Sequence, residues 1–523
     1  MQLRKWTLSA MAALAMLGAA VSQGAESGGG AAAAAAPDSL VSKALEAMGG
    51  AEEVVFAVRG MYGDGHYYAN FGHWSLEPDK MMHAAGGAKL CKVNLRTREV
   101  RVLVDDPQGS VRDPCVDHDG GKIVFSYRPG ETRYFHLYEI KADGTGLRQL
   151  TDGPFDDIEP VFLPDGDLVF PSSRCKRFVA CWYTPVATLH RMDAQGNIRC
   201  LSSNIVHENT PSVLPDGRIL YTRWEYVDRA PQKFHGLWTM NPDGANQAIF
   251  FGNTQPPGEW LLAIDAKPIP GTDRIVAIFS PRHGNREHEG DVMILDAKAG
   301  PDDPDYPRQI SPPIKMKGNG GGGGMDAFRD PYPLSPGCFL VAQNKSLVIL
   351  DGEGNTEEVC QAEMMLHEPY VIGRRDRERA IPPRTVPAAT TGRLLVADVH
   401  HGRNLPEYKG IGVDNYSLGD RDVIRQALGD PEPIKRELPE HLDGDGRLLA
   451  MSEIVGSPVF HGNRVYVAIG RDPRHGPGRG ALHCIDATGT GDVSHSGRIW
   501  CDDRSIAPSP RLRWSRGWST SRT

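Results

Sequence analysis

The feature that most constrains this chain is a strand–turn–strand unit that recurs along most of its length. One copy reads Asp157-Ile158-Glu159-Pro160-Val161-Phe162-Leu163-Pro164-Asp165-Gly166-Asp167-Leu168-Val169-Phe170. An apolar strand arrives, Pro-Asp-Gly reverses the chain, and a second apolar strand returns. Asp-Gly accepts the positive φ angles that a tight hairpin requires. Versions recur at Arg112 to Tyr127, around Asp119-Gly120, and at Asn209 to Thr222, around Pro215-Asp216-Gly217. Looser versions begin near Asp265, Asp330 and Glu368. Each is followed by a second strand pair, as in His136-Leu137-Tyr138-Glu139-Ile140 before Asp143-Gly144. A period of roughly 40–60 residues is that of propeller blades. A four-stranded blade cannot bury both faces alone. Blades arranged about an axis bury each other and leave few open edges.

The expected fold is therefore all-β: a β-propeller of six or seven four-stranded blades, with a small partial β repeat at the C-terminus. About six units lie between Arg112 and His401. Strand-like runs in Glu53 to Val104 add another blade or complete the last one. The glycine run Gly318 to Gly324 neither packs nor holds one conformation and reads as a loop between blades. The expected organisation is a signal peptide (1–25), a flexible leader (26–50), a propeller (51–403) and a charged linker (404–450). A single repeat of another style (451–501) and an aberrant tail (502–523) follow.

Export is read from the first residues. Arg4 and Lys5 precede the apolar Leu8 to Val21, and small residues follow around Ser22 to Ala25. That run is too short for a comfortable membrane span, so none is expected once the signal is removed. Periplasmic or extracellular placement follows. There are 66 acidic against 58 basic residues, a net charge of −8, which gives nucleic acid no basic footprint. Nine cysteines leave at least one thiol outside any intrachain pair. Cys175 and Cys181 are close enough in sequence to pair or to share a metal, and two buried or disulfide-linked cysteines are the simpler expectation.

Several stretches carry a more specific resemblance. They are Ser110-Val111-Arg112-Asp113-Pro114, Phe125-Ser126-Tyr127-Arg128 and Tyr221 to Arg229. Asp265-Ala266-Lys267-Pro268-Ile269-Pro270-Gly271-Thr272 and Phe328 to Ser335 complete the set. The units resemble TolB-type propeller repeats. Together they are similar to exported proteins related to the hydrazine synthase alpha subunit, over about Val54 to Gly410. That resemblance implies a propeller followed by domains carrying c-type haem, where nitric oxide and ammonia are joined. No Cys-x-x-Cys-His occurs in this sequence, so only the scaffold carries over and no covalent haem is expected. Ser457 to Trp500 resembles one pyrroloquinoline-quinone-type propeller repeat, and one blade encloses no quinone. From Ala507 the pattern gives way to Arg, Ser, Pro and Trp. A reading frame shifted near Ala507, truncating the chain, is expected to account for it.

Candidate site residues follow from the repeat. An acid precedes proline at Asp113, Glu159, Asp330 and Glu368, and an arginine closes the returning strand at Arg128, Arg174, Arg223 and Arg282. Equivalent positions in a propeller share a ring about the axis. The expectation is a ring of acids and a ring of arginines, with Arg112 beside them. They either pair between blades or form a charged mouth for an anionic ligand or a partner loop. His283, Glu287 and His288 lie in the densest polar cluster and are candidate ligands for a divalent metal, against a solvated or ion-paired loop. His66, Tyr67, Tyr68, His73 and Trp74 read as strand packing or as a ligand lip. Asp117, Asp119 and Gly120 read as a turn in preference to a calcium loop. No Gly-x-Ser-x-Gly or phosphate-loop signature occurs. The functional reading is an exported scaffold that binds a partner protein, such as a redox partner, or a small ligand. The alternative is a fragment of a periplasmic haem- or metal-dependent oxidoreductase.

Overall fold

The computed structural model describes residues 39–386, apart from short internal stretches, and four strands between 459 and 502. The expectations for residues 1–25, 318–324, 404–450 and 503–523 fall outside the described residues. Among the described residues no helix is long and apolar enough to cross a membrane.

The sheets follow the repeat. The second blade is formed by β4 (Ser110–Val116), β5 (Lys122–Arg128), β6 (His136–Lys141) and β7 (Arg148–Gln149). It is preceded by β1 (Glu53–Arg59), β2 (Ala88–Asn94) and β3 (Val100–Asp106). The third blade comprises β8 (Val161–Phe162), β9 (Leu168–Ser172), β10 (Thr188–Met192) and β11 (Ile198–Cys200). The fourth comprises β12 (Glu208–Val213), β13 (Ile219–Trp224), β14 (His235–Met240) and β15 (Ala248–Phe251). The fifth has β16 (Trp260–Pro268), β17 (Arg274–Pro281), β18 (Asp291–Asp296) and β19 (Arg308–Gln309). The sixth has β20 (Phe328–Ser335), β21 (Cys338–Gln343), β22 (Ser346–Asp351) and β23 (Thr356–Gln361).

The last propeller strand, β24 (Met365–Ile372), returns to pair with β1, giving the order β24-β1-β2-β3. The N-terminal strands thus complete the last blade instead of adding a seventh, and the ring closes with six among the described residues. Closure joins the two ends of the propeller and removes its open edge. The fourth and fifth sheets touch through a single parallel bridge, His235 to Leu262.

Apolar faces of neighbouring blades supply the core. Cys115, Val124 and Leu137 of the second blade meet Phe162, Leu168, Phe170 and Met192 of the third. Val169 and Leu189 of the third meet Ile219, Tyr221 and Met240 of the fourth. One expectation needs correcting. The leader placed at 26–50 ends in a helix, α1 (Leu40–Ala47), capped by Ser39, whose Oγ accepts the Ser42 amide at 3.1 Å. Val41 and Ala44 are buried against Leu340, Leu347 and Ile349 of the sixth blade.

The turn glycines have a second duty. Gly217, in the β12–β13 turn, has φ +89°, and a Cβ there would lie 1.9 Å from the Arg379 carbonyl oxygen. Only glycine satisfies both the turn and the close approach. Arg379 belongs to a strap that leaves β24 and crosses the hairpin face of three blades. The strap's Arg375 amide donates to His118 O, its Arg377 guanidinium to Pro164 O, and its Arg379 amide to Pro215 O. The Arg384 and Thr385 amides both donate to Asp243 Oδ2.

Beyond the propeller, β25 (Val459–His461), β26 (Arg464–Ile469), β27 (Ala481–Asp486) and β28 (Arg498–Asp502) form one antiparallel four-stranded sheet. Its likeness to a quinone-propeller repeat rests on sequence alone.

Candidate functional site: an acidic ring on the propeller axis

The innermost strand of every blade is broken at the same place. Asp113, Glu159, Thr210, Asp265, Asp330 and Glu368 all have positive φ, between 48° and 57°. The ladder shifts register there in β4, β12, β16 and β20, and opposite β24 in β1. Proline follows five of the six and cannot donate to the ladder, so the strand bulges and the residue before it is re-aimed. Left-handed backbone at a non-glycine residue is costly, and six copies of it in one ring mark a structure held for a purpose.

The six side chains are linked head to tail. Asp113 Oδ2 accepts the Glu159 amide at 3.0 Å. Glu159 Oε2 accepts the Thr210 amide at 2.5 Å. Thr210 Oγ1 accepts the Asp265 amide at 3.2 Å. Asp330 Oδ2 accepts the Glu368 amide at 3.0 Å, and Glu368 Oε2 accepts the Asp113 amide at 3.3 Å. One link is missing among the described residues: Asp265 does not accept the Asp330 amide. Its Oδ2 is instead 3.1 Å from His288 Nδ1.

Arginines cover part of this charge. Arg112, almost fully buried, donates to Asp113 at 2.6 Å and across blades to Glu159 at 2.9 Å. Arg59 donates to Glu368 at 2.7 Å, and Arg329 lies 3.3 Å from Glu289. Tyr62 Oη accepts from Arg112 at 3.3 Å. Five ring carboxylates and Glu289 thus face three guanidiniums. Burial, against the pull of Arg112, raises Glu159 to about 7. Burial raises Glu368 to about 8, although Arg59 opposes it. Burial and then the Asp265 charge raise Asp330 to about 6. Burial alone would lower His288, but the Asp265 carboxylate outweighs it and holds the imidazole up at about 9. For Asp265 burial acts upward, and His288 outweighs it, holding that carboxyl below its ordinary value.

Below the ring the axis opens into a funnel of about 600 Å³. Its floor is Asp113, Glu159, Thr210, Asp265, His288, Asp330 and Glu368. Its walls are the prolines 114, 160, 211, 268 and 369 with Tyr332 and Tyr370. Strap residues Arg375 to Glu378 lie at its mouth. The other end of the axis is closed by the insertion between β1 and β2. Tyr67 and Tyr68 are buried there against Trp224 and Val179, and Tyr67 Oη is 2.9 Å from His235 Nδ1.

The structure thus gathers Arg112, Asp113, Glu159, Asp330 and Glu368 but not the expected ring of arginines. Arg128 donates to the carbonyls of Thr132 and Gln108. Arg174 pairs with Asp157 at 2.9 Å. Arg223 donates to Gln247 and lies 4.0 Å from Glu208. These strand ends lie towards the insertion face, away from the funnel. Arg282, His283 and Glu287 fall outside the described residues. His288 leaves its loop neighbours and joins the floor. Among the described residues the stretch from His66 to Trp74 has no strand, only an isolated bridge from His73 to Met81. Asp117 Oδ1 accepts the Gly121 and Lys122 amides, as a turn does. Cys175 and Cys181 are not joined to each other, and no disulfide occurs among the described residues.

Sequence reasoning passed over Thr210, Asp265, Arg59 and Arg329. Thr210-Pro211 keeps the proline and loses the acid, and Asp265-Ala266 keeps the acid and loses the proline. Either half of the signature, placed at blade spacing, marks the position.

A covalent c-type haem does not fit this lining. The 523 residues contain no Cys-x-x-Cys-His. Among the residues lining the funnel the one thiol, Cys115, is buried and its pKa is raised by that burial.

The closed ring, its inner-strand bulges and its axial funnel define a β-propeller protein with one acidic axial site. The chain is similar to hydrazine synthase subunit alpha of Kuenenia stuttgartiensis, 26% identical over 355 residues. The match covers 57% of this chain and 40% of that relative, so the chain spans less than half of the relative's length. The solved Kuenenia stuttgartiensis hydrazine synthase superposes with a TM-score of 0.53 at 20% identity, covering 65% of this chain and 49% of that one. TolB from Acinetobacter baumannii gives a TM-score of 0.42 at 13% identity, covering 61% and 66%. No family profile matches the chain.

Proposed function

We propose that this chain is an exported binding propeller whose axial funnel takes a positively charged group. That group is a small ligand or the tip of a partner protein's loop. The observation that carries the reading is the funnel floor: five carboxylates against two guanidiniums and the His288 imidazole, with an open cavity directly below. A buried surplus of negative charge favours a cation over the anionic ligand that the sequence suggested. Export is supported by the basic start and apolar run of residues 4–21. The relative's name belongs to a longer protein, and no synthesis step is assigned to this chain.

Calorimetric titration of the full chain tests the reading. The probes are methylammonium chloride, guanidinium chloride and, separately, zinc or manganese chloride. Saturable binding of at least one is expected. Asp330→Asn weakens it about tenfold or more, the worth of a charged hydrogen-bonding partner. No saturable binding of any probe overturns the proposal.

A further inference from the structure

The acidic ring is uniform except at one step. Five of its six positions pass a hydrogen bond to the next blade, and the link from Asp265 to Asp330 is absent among the described residues. At that gap Asp265, His288 and Asp330 each present a ligand atom, and the three atoms lie within 4.8 Å of one another. All three residues are buried, His288 at 5% exposure. The second imidazole nitrogen, His288 Nε2, is buried and has no hydrogen-bond partner among the described residues. A buried polar atom left in this way is expensive unless something occupies the space beside it.

We infer that the open link is a binding site for a divalent first-row transition ion, held by Asp265, His288 and Asp330. The inference rests on the cation-binding reading of the funnel and names the cation. Two carboxylates and one imidazole form a mixed oxygen–nitrogen donor set, which suits manganese or zinc. Neighbouring donor atoms sharing such an ion stand about 2.8–3.6 Å apart, given metal–ligand bonds of about 2.0–2.2 Å and angles from octahedral to tetrahedral. The three ligand atoms lie within 4.8 Å of one another, so an ion bound there draws them together. An ammonium group would need hydrogen-bond acceptors placed about its three hydrogens and would leave the imidazole without a role.

Charge points the same way. Asp113 and Glu159 share Arg112, and Glu368 has Arg59. Among the described residues Asp330 has no arginine within ion-pair distance, and His367 Nδ1 is 3.7 Å away. Asp330, His367 and Glu368 form a second group of ligand atoms within the same spacing, next to the first. Lys267, two residues beyond Asp265 on β16, lines the funnel wall. Three protein ligands at the floor of a cavity leave further coordination positions facing the funnel. There an oxygen or nitrogen ligand would complete the sphere.

The full chain, stripped with EDTA and exchanged into metal-free buffer, is loaded with zinc or manganese chloride. Retained metal is counted by elemental mass spectrometry, and affinity is measured by calorimetry. Cobalt chloride serves as a spectroscopic probe of the same site. One ion per chain is expected, with cobalt bands that gain intensity on binding. His288→Gln and Asp330→Asn are each expected to weaken binding about 100-fold or more, the upper end of what losing even an outer-sphere partner costs. Asp117→Asn, in a turn away from the floor, binds as the parent does, and circular dichroism confirms that each variant folds. Failure to retain any ion, or parent-like affinity in both floor variants, overturns the inference. Methylammonium or guanidinium binding in the presence of EDTA, with no metal retained, leaves the cation funnel standing and removes the metal. Binding of neither removes both.

Discussion

The two ends of the propeller axis solve opposite problems with the same backbone. At the insertion end Tyr67, Tyr68, Trp224 and Tyr226 fill the axis with apolar rings, and burial there is favourable in itself. At the other end of the axis the side chains of the innermost strands are carboxylates, and burial is costly unless each charge is matched. The aromatic end is closed. The acidic end opens on a funnel that no apolar group fills. The difference teaches that one end is there to hold the ring together and the other is kept under electrostatic tension.

Removing a partner on the acidic side should break the comparison hardest. Arg112→Met leaves Asp113 and Glu159 buried without their guanidinium. It should cost about 3–5 kcal/mol in urea unfolding at neutral pH. The loss should shrink in acid, as the carboxylates protonate. A loss independent of pH would mean that Arg112 acts by packing. On the aromatic side Trp224→Ala should cost about 3–5 kcal/mol at every pH, since only apolar contact is lost. It should leave the floor's cation affinity unchanged in the folded protein.

A smaller effect tests whether electrostatic tension extends beyond the floor. Asp156, buried near the insertion, is raised to about 7 chiefly by burial, with the Phe135 amide bond opposing. Its folded pKa exceeds the unfolded one, so the folded state holds the extra proton. The contribution to stability is full below about pH 4 and is lost as pH rises towards 7. The slope there is at most about 1.4 kcal/mol per pH unit. Asp156→Asn can still accept the Phe135 amide and should flatten that slope in pH-dependent thermal unfolding. An unchanged slope would assign it to other groups.

The smallest effect concerns the funnel mouth. Gly217→Ala puts a methyl group onto the Arg379 carbonyl and strains a positive φ. About 1–2 kcal/mol of stability should go. Hydrogen exchange of the Arg379 amide should rise, while that of the floor stays as it was. Faster exchange at the floor as well would show that strap and ring move together.

Much of this was legible in one dimension. Pro-Asp-Gly between apolar runs specifies a hairpin because the turn needs positive φ and the strands need β-branched and aromatic residues. Acid-Pro at blade spacing located Asp113, Glu159, Asp330 and Glu368, because proline interrupts the ladder wherever it falls. The arginine ring failed for a geometric reason. Arg128 ends β5, Arg223 sits one register position earlier in β13, and Arg174 falls in a turn past the end of β9; all three lie at the insertion end, and sequence spacing carries neither register nor axial height. His288 was read with its chain neighbours His283 and Glu287, whereas its partners Asp265 and Asp330 belong to two different inner strands.

The sequence by itself determined the repeat, the strand type, the turns and the break in each inner strand, all of which follow from local backbone chemistry. Only the tertiary structure decided that the last strand pairs with the first. It also decided that the six breaks form one hydrogen-bonded ring and that the ring stays open at Asp265–Asp330. Those facts depend on residues tens to hundreds of positions apart meeting on an axis, and ring closure, not local propensity, brings them together.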